Sequence, residues 1–165
     1  MRPRTPVDAI AACIASATQE SVDTLSAALE RLDAIEGVDQ PAVRTLALAH
    51  VGRCYGTLGD WDAATWYLQQ ALRWARQLGV PEARIELLCD LAEICVQRAG
   101  QPAHAAGAID ADRDAEQARL HGDEALRLVR QAGDVDWETR VTARIGELLE
   151  RCAAATGAAP SLGEA

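Results

Sequence analysis

A stretch of this chain occurs twice, 40 residues apart. Pro41, Arg44 and Leu48 recur as Pro81, Arg84 and Leu88, and the small pair Val51-Gly52 recurs as Leu91-Ala92. A fixed period of this length implies stacked supersecondary units, none of which can bury its apolar face alone. That constraint moves the question of function from a catalytic pocket to a repeated surface and what it binds.

A second element repeats as well. Ala64, Ala71, Leu72, Arg73, Arg76 and Gln77 return as Ala118, Ala125, Leu126, Arg127, Arg130 and Gln131. The offset here is 54 rather than 40, so the third unit carries 14 additional residues, between Ala99 and Asp114. They are rich in Ala, Gly and Asp, and form either a loop or a backward extension of the helix that follows. Ile145-Gly146 keeps the same offset from Leu91-Ala92.

The punctuation is helical. Gly37, Gly59, Gly79, Gly100 and Gly133 each close an apolar-periodic run, as C-terminal glycines do. Pro41 and Pro81 suit the first turn of a helix, and Asp60 and Asp114 suit N-caps. Seven helices are expected, over residues 5–17, 21–35, 41–58, 60–78, 81–99, 114–132 and 136–153. With 49% apolar residues, 4% aromatic and no Phe, the core must come from Ala, Leu, Val and Ile, which favours closely packed helices. The tail from 154 to 165 mixes small residues, Gly and Pro, and is expected to be flexible.

The pattern resembles the tetratricopeptide repeat family, in its longer-helix bacterial form with a period near 40. The family's apolar–Gly pair, following aromatic, Gly-Asp-aromatic turn, Ala with a large apolar residue four on, and Ala-Leu correspond to Val51-Gly52, Tyr55, Gly59-Asp60-Trp61, Ala64 with Leu68, and Ala71-Leu72. The third unit departs, with Ala92 for the Gly, Cys95 for the aromatic and Gly122 for the large apolar residue. The first is recognisable mainly by Ala28-Leu29. The resemblance implies an all-α solenoid of antiparallel helix pairs, a right-handed superhelix. Its units would be residues 5–36, 41–78 and 81–132, with a capping helix at 136–153 in a domain spanning 1–153. It also implies a concave groove lined by the first helix of each unit. Carried over by position, that groove is Leu46, Ala49, Arg53 and Thr57, then Glu86, Cys89, Glu93 and Gln97, then Arg140, Ala143, Glu147 and Glu150. Ala49 and Arg53, then Glu86 and Asp90, stand where carboxylate-clamp residues would fall, which argues against a chaperone's C-terminal carboxylate as ligand.

Other chemistry has little support. The net charge of −9 disfavours generic nucleic-acid or anionic-membrane binding. No apolar run reaches a membrane-spanning length of about 18 residues, and the basic N-terminus lacks a signal peptide's apolar core. Lys and Asn are absent, as GC-rich bacterial coding favours. The five cysteines are odd in number and form no CxxC, which suggests reduced thiols packed as small hydrophobes in a cytoplasm.

Asp110-Ala-Asp-Arg-Asp114 begins like a calcium loop, but Ala115 and His121 stand where Gly and a bidentate Glu are needed. An acid-enriched loop and helix start explains it better. His50 and Cys54, four apart with Cys89 in reach, have a metal-compatible spacing. The further ligands of a structural zinc site are missing, so no metal and no cofactor is expected. No nucleophile, phosphate loop or paired acid forms a catalytic motif; we expect no enzyme.

The reading is therefore a protein–protein interaction module. It would hold a partner peptide or helix in the concave groove, through Leu46, Arg53, Glu86, Glu93, Gln97, Arg140 and Glu147. The alternatives are a homodimeric scaffold joined through the helix carrying Trp66 and, further off, a metal or small-molecule sensor. No nucleic-acid or membrane partner is expected.

Overall fold

The computed structural model describes residues 21–35, 40–101 and 108–156. Among them every regular element is a helix. α1 covers residues 21–34, α2 Pro41–Leu58, α3 Trp61–Leu78, α4 Pro81–Ala99, α5 Ala108–Ala132 and α6 Val135–Thr156. The expected helix at 5–17, Gly37 and residues 157–165 lie outside the described residues.

The helix ends follow local chemistry. Pro41 and Pro81 occupy the first turns of α2 and α4, where the missing N–H would have no helical partner anyway. Asp60 caps α3 by accepting from the Ala63 N–H at 3.1 Å. Gly59 adopts φ 79°, and the following Asp60 N–H returns to the Tyr55 carbonyl; a side chain at that φ would clash with its own backbone. Gly100 instead ends α4 in the right-handed region.

Two expectations are corrected. Asp114 is not an N-cap, because α5 begins six residues earlier at Ala108 and places Asp114 in its second turn. The acidic run at 110–114 is therefore helical, not a loop. α6 also continues past 153 to Thr156.

Consecutive helices pack in opposite senses. Arg44, near the start of α2, lies over the Trp74 ring near the end of α3, 4.9 Å from its centroid. Tyr55, near the end of α2, stacks on Tyr67 in the first half of α3 at 5.4 Å. Arg98 at the end of α4 reaches Asp114 early in α5, and Arg130 late in α5 reaches Glu138 early in α6. Helices two apart run in the same sense, with α2 touching α4 and α4 touching α6.

Small residues set the spacing. A Cβ on Gly52 would lie 2.8 Å from Leu68 Cγ and 3.2 Å from the Ala64 carbonyl. The missing side chain thus lets α2 and α3 touch. A Cβ on Gly56 would meet Ile94 of α4 at 2.7 Å, and one on Gly122 would meet Ile145 of α6 at 2.9 Å. Gly122 stands where the second unit has Leu68, and the space there is filled from the following helix by Ile145. The core joins Leu68, Ile85, Leu88, Leu91, Val129 and Ile145, all essentially buried. A smaller cluster of Ala28, Val51 and Cys54 fastens α1 to the rest.

Candidate functional site

The first helices of successive units, α2, α4 and α6, lie side by side and share a face. An ion-pair network crosses it. Asp90 of α4 is buried and accepts from Arg53 Nε of α2 at 2.7 Å and from Arg144 Nη2 of α6 at 3.1 Å. Arg144 also donates to Glu86 at 3.0 Å and lies 3.5 Å from Glu93. One carboxylate below water thus ties three helices, and two carboxylates at the surface complete the charge around Arg144. Charge-assisted contacts of this kind are shorter and stronger than neutral ones.

Of the seven sequence-predicted groove residues, this network brings together Arg53, Glu86 and Glu93. Leu46 is 71% exposed near the start of α2, away from the ion pairs. Gln97 is half-buried one turn beyond Glu93. Arg140 and Glu147 are exposed on α6 and make no ion pair with a described residue. Ala49 and Cys89, carried over as groove positions, are buried beneath the face at 5% and 1% exposure and do not line it. Packing against the neighbouring helix takes them out of reach.

Arg144 was missed, and Asp90 was read only as a position where a clamp residue would fall. The signal was present: they are 54 residues apart, the same offset that relates Leu91-Ala92 to Ile145-Gly146. Opposite charges at one register of adjacent units predict a lateral pair.

On the other side of the molecule, Arg98 grips Asp114, which is 5% exposed, with Nε and Nη2 together, and reaches Asp62 of α3 with Nη1 at 3.2 Å. Glu124 of α5 faces Arg76 of α3 and Arg84 of α4, each at 3.6 Å. These links join α3, α4 and α5.

The thiols are packed rather than activated. Burial pushes Cys89 and Cys95 up to about 11, against the lowered values that reactive thiolates need. Among the described residues no group of three or more His, Cys, Asp or Glu side chains is placed to hold a metal ion. Nor is any of their helices long and apolar enough to cross a membrane. Trp66 is 55% exposed, with its ring edge-on to Tyr67 at 4.8 Å.

Comparison with protein-family models, with curated proteins and with solved structures finds no match to the chain.

Proposed function

We propose that this chain is a protein–protein interaction module, a short tetratricopeptide-like solenoid that holds a partner peptide or helix on the shared face of α2, α4 and α6. The observation that carries the reading is the network Arg53–Asp90–Arg144 with Glu86 and Glu93. It fixes charged side chains of three helices on one surface, so that a ligand meets an ordered array rather than independent rotamers. Preorganisation of this kind lowers the entropic cost of binding. Leu46 supplies an exposed apolar contact at one end, and Arg140 and Glu147 offer exposed charges on α6 that pair with no described residue. Complementary charge sets orientation and association rate more than affinity.

The capping role of α6 supports the same architecture. Thr142 and Gly146 occupy the register of the buried Leu48 and Leu88 and of the close-packed Gly52 and Ala92, yet both are exposed. No described helix covers them.

Selection of a displayed random-peptide library on the full chain tests the reading. Peptides held by the groove lose binding to the Arg53→Ala/Glu93→Ala double variant and to Leu46→Asp. They keep it with Arg73→Glu, which lies on the far side of the molecule. If no selected peptide depends on the groove residues, the assignment is wrong.

A further inference from the structure

Repetition in such a chain is expected where side chains pack. It also extends to a surface that packs against nothing described. The outer face of α3 carries Trp66, Arg73 and Arg76; the outer face of α5 carries Leu120, Arg127 and Arg130 at the same 54-residue offset. All six are exposed. A single exposed apolar side chain is ordinary, but here two stand in register, Trp66 at 55% and Leu120 at 45% exposure. The Trp66 ring stands edge-on to Tyr67 at 4.8 Å, and exposed tryptophans are favoured binding anchors.

The charge is equally out of keeping with the chain. The protein carries −9 overall, yet four arginines gather at the C-terminal ends of these two helices. Arg76 and Arg130 face Glu124 and Glu138. Arg73 and Arg127 make no ion pair with a described residue. Each follows its apolar neighbour by seven residues, two turns on the same face, a rise of about 10 Å. The Arg76–Glu124 contact at 3.6 Å reaches from α3 to α5, a side-chain link between two helices whose backbones do not touch, so an occupant would span both.

We propose that this outer face is a second docking surface and that its occupant is an acidic amphipathic helix of a partner protein. Its apolar side chains would cover Trp66 and Leu120, and its carboxylates would meet Arg73 and Arg127. A helix can set neutral side chains opposite Asp62, Glu116 and Asp123, which stand on the same stripes, whereas a phosphate backbone is charged at every step and would be repelled there. This surface is independent of the groove on α2, α4 and α6, and a chain with both would join two partners.

The test is fluorescence anisotropy of a labelled synthetic peptide with the full-length chain. The peptide carries leucines at helical i, i+4, i+7 spacing with glutamates elsewhere; its control has lysine for every glutamate. The acidic peptide binds and the lysine peptide does not. Both Trp66→Ser/Leu120→Ser and Arg73→Glu/Arg127→Glu weaken binding by about tenfold or more. The charge-reversed variant turns its preference to the lysine peptide, a gain that misfolding cannot produce. Arg53→Ala/Glu93→Ala leaves the affinity unchanged, which separates this surface from the groove. Equal binding of the two peptides overturns the proposal, as does tighter binding of a DNA duplex. So does a concentration-dependent dimer abolished by Trp66→Ser/Leu120→Ser, which would make a second copy the occupant.

Discussion

Asp90 of α4 and Arg144 of α6 hold the same register in successive units and meet at 3.1 Å. With Arg53 on its other side, Asp90 is held between two guanidinium groups while its side chain is 11% exposed. Removing one partner of a buried ion pair leaves an uncompensated charge, which costs far more than losing an exposed pair. Asp90→Ala leaves two arginines facing each other with only the surface carboxylates between them. We predict a loss of about 2–4 kcal/mol, read as a lower urea midpoint. Arg53→Ala, whose side chain is half exposed, costs about 1 kcal/mol or less.

Gly52 and Gly146 are equivalent in the repeat and should respond oppositely to the same substitution. A Cβ at Gly52 meets Leu68 and the Ala64 carbonyl, whereas one at Gly146 meets nothing within 4 Å. Gly52→Ala forces α2 and α3 apart and destabilises by about 1–3 kcal/mol. Gly146→Ala removes a mid-helix glycine from an open surface and stabilises by about 0.5–1 kcal/mol. Thermal or urea unfolding of the two variants checks the signs.

These contrasts show what the sequence could convey. Positions that pack, such as Gly52, Ala64, Leu68 and Ala71, were legible because burial imposes one spacing on every unit. The start of α5 was not, because Asp114 has the chemistry of a cap and only its pairing with Arg98, a contact between two helices, explains its place inside the helix. Leu46 and Gln97 were placed on the groove by carry-over from the family they resemble, yet Ala49 and Cys89, carried to the same groove, are buried. Periodicity gives a direction around the helix axis and says nothing of how closely the next helix approaches. Lateral charge pairs were readable only by comparing units with each other, as Asp90 with Arg144.

His121 links stability to pH. Burial lowers its pKa below the ordinary value, with nearby Glu124 opposing and Arg76 reinforcing the shift. The unfolded chain therefore binds the proton more readily than the folded one. The stability contribution is complete above the unfolded pKa of about 6.5 and is lost as pH falls through the depressed folded value. Urea midpoints of the wild type should fall more steeply between pH 7.5 and 5.5 than those of His121→Gln. Parallel slopes would remove this account of the residue.

The four described cysteines are buried, and Cys89 and Cys95 are pushed up to about 11 by burial. In a Cys13→Ser background at pH 8, all four thiols should react with an aromatic disulfide reagent only as fast as the protein opens. In denaturant they react at once. Rapid labelling of Cys89 in the folded protein would show that the helices packed over it do not exclude solvent.

The proposed binding face is open to direct mapping. A benzophenone side chain placed at Leu46, Gln97 or Arg140 lies on the shared face of α2, α4 and α6; one placed at Gln77 lies on the outer face of α3. With a library-selected peptide bound, irradiation should crosslink that peptide from positions 46, 97 and 140 and not from position 77. Crosslinking from position 77 alone would contradict the groove as the site where the partner sits.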